Sequence, residues 1–214
     1  MVDSPKTFAI PGLEDGRKAD EPCTIVIFGA SGDLTARKLI PALYHLYTES
    51  QMPGSFRVVG VARREKTDES WRAEMRAGVE TLSRSSEVDD AQWDTFATNL
   101  SYHRGDLTDA GAYTGLAQRL AGFGDESLSS NLVFYLAISP SLFGEVVDQL
   151  HAADLLHRIE EGDTHWQRVV VEKPFGHDLQ SAHLLNNHLL RHARERQIFR
   201  IDHYRGKETV QNIM

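Results

Sequence analysis

The chain has 214 residues, which is enough for one large domain or for one domain with part of another. Hydrophobic residues make up 41% of it and charged residues 25%, a globular composition that excludes an intrinsically disordered chain. The net charge of −8, from 31 acidic and 23 basic residues, excludes a general binder of nucleic acid or membrane surfaces, so an anionic ligand has to be held by local groups.

The sequence predicts a cytoplasmic protein without a membrane span. No apolar stretch approaches the roughly 18 residues that cross a bilayer. Residues 1–22 lack the apolar segment of a secretory signal. The single cysteine, Cys23, has no partner for an internal disulfide, which is typical of a reducing compartment.

Strand and helix patterns alternate after a polar arm. Residues 1–22 combine proline, glycine and charge without an apolar face, and we expect a flexible arm there. Residues 23–28 are a continuous, β-branched apolar run, which is typical of a buried parallel strand. The predicted strands are 23–28, 56–62, 100–103, 132–137, 168–172 and 198–201. The predicted helices are 34–47, which Pro41 is expected to kink or restart, 69–82, 91–100, 109–121, 141–156 and 179–196.

This alternation predicts an α/β fold in which helices cover both faces of a parallel sheet. We assign residues 23–200 to that domain. Residues 207–214 begin a further amphipathic helix, which stops without a capping glycine or a polar tail. We therefore expect that residues 201–214 begin a second domain and that the chain is a truncated form of a longer protein.

The turn after the first strand has the composition of a phosphate cradle. Gly29-Ala30-Ser31-Gly32 separates the strand from a helix, so small residues let the backbone approach a ligand. The start of the helix then offers free N–H groups and the positive end of its dipole to a pyrophosphate. The alternative is an ordinary glycine-rich turn, with Asp33 as a first-turn or capping carboxylate.

The end of the second strand indicates which dinucleotide is bound. An acidic residue there accepts hydrogen bonds from the ribose of NAD, whereas an arginine pairs with the 2′-phosphate of NADP. This chain has Arg63 and Arg64, with no acid before Glu65. A guanidinium matches phosphate geometry, so the pattern favours NADP. Two solvated loop arginines are the alternative.

Three further motifs point to one family. Residues 200–208, Arg-Ile-Asp-His-Tyr-Arg-Gly-Lys-Glu, closely resemble the active-site signature of the glucose-6-phosphate dehydrogenases. The family also carries Gly-Ala-Ser-Gly-Asp-Leu and Glu-Lys-Pro-Phe-Gly, and the resemblance extends over residues 23–214. The matching segments are 29–34, 172–176, 134–137 (Phe-Tyr-Leu-Ala) and Arg63. The chain departs from the family at Thr35, commonly alanine, and at Arg205, commonly leucine.

The resemblance implies a Rossmann-like, doubly wound sheet that binds NADP, followed in the family by a β+α substrate domain that is largely absent here. It implies a cytoplasmic oxidoreductase that converts D-glucose 6-phosphate to 6-phosphoglucono-1,5-lactone, the first step of the pentose phosphate pathway, with a homo-oligomeric parent enzyme. The implied coenzyme-binding residues are Gly29, Ala30, Ser31, Gly32, Asp33, Leu34, Arg63 and Lys173.

The resemblance also implies roles around the sugar phosphate. Lys173 resembles a residue between coenzyme and sugar, and His203, Tyr204 and Lys207 resemble contacts to the substrate phosphate. Asp202 resembles the carboxylate that orients the catalytic histidine, a base that lies outside this chain. Lys207 and a protonated His203 supply the local cations that an acidic chain needs. Without the family match, these residues are more typical of a strand end and of a solvated first helical turn.

Two other functions remain open from the sequence. One is a sugar dehydrogenase of the glucose–fructose oxidoreductase type, which also combines this fold with Glu-Lys-Pro, although residues 200–208 argue against it. The other is a non-enzymatic NADP-binding module. We predict no metal site: His183, His188 and His192 share one helix, but no third ligand accompanies them, and we expect solvated surface histidines. The family also places a cis peptide bond before Pro174.

Overall fold

The structure is a computed structural model that describes residues 21–82, 88–175 and 178–201. Six strands and seven α-helices alternate over these residues, with short 3₁₀ turns at Pro140–Leu142 and Glu195–Gln197. The strands are β1 (Cys23–Phe28), β2 (Phe56–Ala62), β3 (Leu100–Arg104), β4 (Leu132–Leu136), β5 (Gln167–Glu172) and β6 (Ile198–Ile201). The helices are α1 (Ile40–Thr48), α2 (Asp68–Leu82), α3 (Asp90–Ala97), α4 (Ala110–Ala121), α5 (Glu126–Ser130), α6 (Phe143–Ala152) and α7 (Leu179–His192).

All six strands are parallel and form one sheet in the order β3-β2-β1-β4-β5-β6. The strand order reverses between β1 and β4, which makes this the doubly wound arrangement predicted from the sequence. In such sheets ligands bind outside the carboxyl ends of the strands, next to this switch point. Consequently the residues that follow Phe28, Ala62, Leu136 and Glu172 border one edge.

Alternate residues of each buried strand face two separate cores. Ile25 and Ile27 point to a cluster with residues of α1, α2 and α3, which includes Trp71 and Phe96. Val26 and Phe28 point to a cluster with residues of α4, α6 and α7. Because both faces are covered, the central strands β1 and β4 are buried at every position, whereas the edge strand β3 alternates buried and partly exposed residues.

The helix after β1 is split, as Pro41 predicted. Thr35–Leu39 form a π-helical turn in which the N–H of Ile40 bonds to the carbonyl oxygen of Thr35, and α1 then begins with Pro41 in its first turn. Proline has no N–H to continue the hydrogen-bond ladder, so the helix restarts there. Gly78 of α2 packs directly on this turn, since a Cβ at Gly78 would lie 2.0 Å from the carbonyl oxygen of Ala36.

Three predicted helices extend too far at their C-terminal ends. The helix predicted over 91–100 ends at Ala97, and Leu100 begins β3. The helix predicted over 141–156 ends at Ala152, because Asp154 adopts a left-handed conformation with φ 59°. The helix predicted over 179–196 ends at His192, followed by the 3₁₀ turn. Helix α5 was not predicted; its start is capped by the side chain of Asp125, which accepts hydrogen bonds from the N–H groups of Ser127 and Leu128.

The end of the predicted arm already contacts the domain. The carbonyl oxygen of Pro22 accepts a hydrogen bond from the Asn131 side chain at 3.1 Å, and Glu21 accepts one from the indole of Trp166. The rest of that arm lies outside the described residues. Within the described ranges, none of the helices combines the length and apolar composition of a bilayer-crossing segment.

Candidate functional site

Gly29 turns the chain sharply at the carboxyl end of β1. It has a φ of 88°, and a Cβ at this position would lie 2.1 Å from the carbonyl oxygen of Ala137, at the end of β4. The N–H groups of Gly29 and Ala30 donate to the carbonyl oxygen of Val61 at 2.9 and 3.2 Å. This turn therefore lies directly between β2 and β4, and only glycine fits at its first position.

The cradle continues with Gly32, whose N–H donates to the carbonyl oxygen of Gly29 at 2.9 Å. Helical residues start at Asp33, so the first N–H groups of the helix have no acceptor one turn earlier. These groups, together with the positive end of the helix dipole, form the kind of anion site that receives a pyrophosphate. The exposed carboxylate of Asp33 does not cap the helix but pairs with Arg37 at 3.4 Å.

Thr35, one departure from the family, braces this turn. Its side chain is fully buried, and its hydroxyl donates to the carbonyl oxygen of Gly29 at 3.3 Å. An alanine would leave that oxygen without this donor. The hydroxyl thus ties the π-helical turn back to the residue that opens the cradle.

Trp71 on α2 holds the cradle through a hydrogen bond to its backbone, a role that the sequence did not predict. It is fully buried, and its indole N–H donates to the carbonyl oxygen of Ala30 at 3.0 Å. Gly60 of β2 makes room for the ring, since a Cβ there would lie 2.5 Å from the indole. The ring also packs on Tyr102, with centroids 5.8 Å apart. The hydroxyl of Tyr102 donates to the carbonyl oxygen of Arg64 at 2.7 Å, so one aromatic pair supports both the cradle and the arginine loop.

Arg63 and Arg64 follow β2 at the same edge as the cradle. Arg64 donates to the carbonyl oxygen of Ser31 at 3.4 Å, so this loop lies against the cradle. Arg63 is exposed, and no hydrogen bond or ion pair joins its side chain to another described residue. Its guanidinium is therefore available to a phosphate. Glu65, the first acid after β2, pairs instead with Arg104 at 3.2 Å.

Lys173 leaves the sheet at the end of β5. Its side chain is exposed, and the Lys173–Pro174 peptide bond is cis, which confirms the prediction. The preceding residue, Glu172, is buried and accepts a hydrogen bond from the hydroxyl of Tyr135 on β4. Burial and the Glu172 carboxylate raise the pKa of Tyr135, so this phenol remains a donor. The pair fixes the strand end from which Lys173 emerges.

The four signature residues Asp202, His203, Tyr204 and Lys207 lie outside the described residues. The structure does show where the chain leaves the sheet towards them. Ile201, the last residue of β6, pairs in register with Glu172 of β5. The signature and Lys173 therefore follow the carboxyl ends of adjacent parallel strands.

The expectation of solvated surface histidines is right for His183, which is exposed, but wrong for two others. His188 and His192 both hydrogen-bond to one carboxylate oxygen of Asp148 on α6, at 2.8 and 2.7 Å. Only 31% and 19% of their side-chain surfaces remain accessible. Asp148 is distant in sequence, and helix periodicity alone does not show which helices pack together.

Comparison with known proteins agrees with this geometry. The family described as "Glucose-6-phosphate dehydrogenase, NAD binding domain" matches residues 26–212. The glucose-6-phosphate 1-dehydrogenase of Chlamydia muridarum is 41% identical over 194 residues, which cover 90% of this chain and 38% of that protein. The corresponding protein of Bacillus subtilis is 40% identical over 190 residues, covering 88% of this chain and 37% of that protein.

Solved structures give the same result. A glucose-6-phosphate dehydrogenase in complex with its substrate glucose-6-phosphate has a TM-score of 0.75 at 37% identity, covering 90% of this chain and 39% of its own. The Mycobacterium avium enzyme has a TM-score of 0.72 at 37% identity, with coverages of 88% and 38%. The chain therefore spans about two fifths of the length of these relatives. It belongs to the glucose-6-phosphate dehydrogenase family and corresponds to the nicotinamide-dinucleotide-binding domain of that family.

Proposed function

We propose that this chain is the coenzyme-binding part of an NADP-dependent glucose-6-phosphate 1-dehydrogenase. The observation that carries the proposal is the glycine cradle at the end of β1 together with Arg63 at the end of the neighbouring β2, an exposed side chain that makes no hydrogen bond or salt bridge within the described ranges. The cradle suits the pyrophosphate of either dinucleotide, whereas a guanidinium at the end of β2 suits the 2′-phosphate that only NADP carries.

The proposed reaction removes a proton from the C1 hydroxyl of glucose 6-phosphate and a hydride from C1, giving the lactone. The coenzyme, when bound, supplies the hydride acceptor. This chain's share is to hold the pyrophosphate with residues 29–34 and the adenosine phosphate with Arg63. We place Lys173 between coenzyme and sugar because it leaves the sheet at the edge that carries the cradle.

The signature residues would complete the sugar site. We assign His203, Tyr204 and Lys207 to the substrate phosphate, and Asp202 to the orientation of a base histidine in the remainder of the protein. This assignment rests on the family motif and on the register that pairs Ile201, the last residue of β6, with Glu172 of β5. From family membership we also propose a cytoplasmic, homo-oligomeric parent enzyme of the pentose phosphate pathway.

Coenzyme choice is tested by titrating the chain separately with NADP⁺ and NAD⁺. A charge-assisted hydrogen bond contributes about 1.5–3 kcal/mol, so we expect NADP⁺ to bind about 10- to 100-fold more tightly. Arg63→Ala should remove most of that preference while leaving NAD⁺ affinity nearly unchanged. Arg191→Ala, which removes an exposed arginine on α7, is the control and should keep the preference. Equal affinities in the unmutated chain contradict the NADP assignment.

The reaction is tested by NADPH absorbance with saturating glucose 6-phosphate. We expect no turnover by the 214 residues, since loss of general-base catalysis alone costs about 10²- to 10⁴-fold. A protein extended through its reading frame should be active. In the extended protein, Asp202→Asn should lower kcat while coenzyme binding is retained. His203→Ala and Lys207→Ala should instead raise the KM for glucose 6-phosphate. Turnover by the short chain would place the base within these residues instead.

A further inference from the structure

Three metal-ligating side chains converge where α6 packs against α7. Asp148 lies on α6, and His188 and His192 lie one turn apart on the facing side of α7. Both imidazole Nε2 atoms are within 2.8 Å of the same carboxylate oxygen. Each residue offers one ligand atom, and these atoms all lie within 4.8 Å of one another.

This spacing is close to that of a tetrahedral zinc site. Zinc bonds to imidazole nitrogen and to carboxylate oxygen are about 2.0–2.2 Å long, which separates two ligands by roughly 3.3 Å. A metal ion therefore needs the two nitrogens to move apart from the oxygen by about half an ångström each. Such a shift is within the range of side-chain rotation.

The donor set also has the right chemistry. A carboxylate oxygen and two imidazole nitrogens are common zinc ligands. An imidazole binds a metal through Nε2 only when that nitrogen carries no proton, so a metal ion would displace the Nε2 protons that His188 and His192 now donate to Asp148.

A third histidine borders the cluster without joining it. The ring of His151 on α6 lies 4.4 Å from that of His192, and its Nδ1 bonds to the carbonyl oxygen of Leu156 at 3.0 Å. Three protein ligands leave a fourth coordination position, and water is its simplest occupant.

The cluster lies away from the coenzyme site. Both helices run back from the carboxyl edge of the sheet, and the three residues are in the middle and last turns of their helices. A metal here joins two helices that cover the same core, so its effect is on stability and not on hydride transfer.

We propose that Asp148, His188 and His192 form a site for one divalent transition-metal ion, with Zn²⁺ as the best match, that fastens α7 to α6. Two imidazoles and one carboxylate suit Zn²⁺, and Co²⁺ and Ni²⁺ are accepted by the same ligands. Because the metal binds the folded arrangement of two helices, it stabilises the folded state by mass action.

The experiment is calorimetric titration of the metal-free chain with Zn²⁺, followed by thermal unfolding with and without Zn²⁺. We expect one equivalent to bind and the unfolding temperature to rise. Substituting Co²⁺ should give the visible absorption bands of a four-coordinate ion with nitrogen and oxygen ligands. Loss of an outer-shell partner alone costs about 10- to 100-fold in metal affinity, so removing a direct ligand should cost at least that much.

The variants are His188→Ala, His192→Ala and Asp148→Asn, the last of which preserves side-chain shape. His183→Ala is the control, because it removes an exposed histidine from the same helix. Circular dichroism without metal verifies that each variant is folded. The proposal is supported if all three variants lose affinity while the control retains it. Absence of stoichiometric Zn²⁺ binding, or equal affinity in the cluster variants and the control, overturns it.

Discussion

The indole N–H of Trp71 donates to the carbonyl oxygen of Ala30, 41 residues earlier, at 3.0 Å. Both residues have no accessible surface. Ala30 is the second residue of the cradle, so a helix that follows β2 holds the turn that follows β1. This hydrogen bond therefore fixes the position of the cradle relative to α2.

Trp71→Phe tests that support. Phenylalanine retains most of the buried area but leaves the Ala30 oxygen without this donor, and an unpaired buried group costs about 1–3 kcal/mol. We expect a lower free energy of unfolding and weaker NADP⁺ binding. Trp93→Phe is the matched control, since Trp93 is also buried but lies in a different part of the same core, on α3. If both variants bind NADP⁺ equally well, Trp71 does not support the cradle.

Gly29→Ala should be more damaging than backbone strain alone explains. A left-handed conformation costs an L-residue about 1–2 kcal/mol, and here a Cβ would also lie 2.1 Å from the Ala137 oxygen. Gly124→Ala separates the two effects, because Gly124 has a φ of 71° with nothing within 4 Å of its added Cβ. Urea unfolding measures the free energy of unfolding of each variant. We expect Gly124→Ala to lower it by about the strain energy and Gly29→Ala to lower it clearly more. Equal losses of unfolding free energy would mean that the backbone at Ala137 shifts to accommodate the added Cβ at little energetic cost.

Tyr135→Phe should destabilise the end of β5. It removes the hydroxyl that donates to Glu172, a carboxylate with 9% exposure, and the expected cost is about 1–3 kcal/mol. Tyr44→Phe is a close control, since Tyr44 has the same 8% exposure as Tyr135. No hydrogen bond of the Tyr44 hydroxyl is seen among the described residues. Equilibrium unfolding of both variants should therefore show a loss only for Tyr135→Phe.

His103 should make stability fall in mild acid. Burial of the imidazole lowers the pKa of His103. The hydrogen bond to the Ala112 oxygen opposes this lowering, and the positive charge of Arg119 adds to it. The unfolded chain therefore binds a proton near the ordinary pKa of about 6.5, before the folded chain does. Stability from this residue is full above that pH and decreases as the pH falls below it.

The difference between wild type and His103→Gln isolates this contribution. We expect the wild type to lose more free energy of unfolding than the variant between about pH 7.5 and pH 5.5. His157→Gln, at an exposed position, should follow the wild type. Parallel pH dependences for wild type and His103→Gln would show that His103 titrates alike in both states.

Local chemistry was sufficient to predict the strands and the positions of Gly29 and Arg63 at the ends of β1 and β2. The run 23–28 is buried throughout because both faces of β1 are covered, and its length and β-branching already indicated a buried parallel strand. Gly29 was identifiable because a turn from a central strand into a helix requires a conformation that other residues avoid. Arg63 follows β2 directly, so its position at the edge followed from the strand assignment alone.

The long-range partners were decided only by tertiary structure. The sequence predicted a helix over 69–82, but the hydrogen bond from Trp71 to Ala30 depends on how α2 crosses the turn after β1, where Gly78 and Gly60 allow close approach. The same is true of Asp148, which reaches His188 and His192 across a helix pair. Sequence periodicity determines which face of a helix is apolar. It does not determine which helix that face meets, because that depends on the order of strands in the sheet and on packing between distant segments.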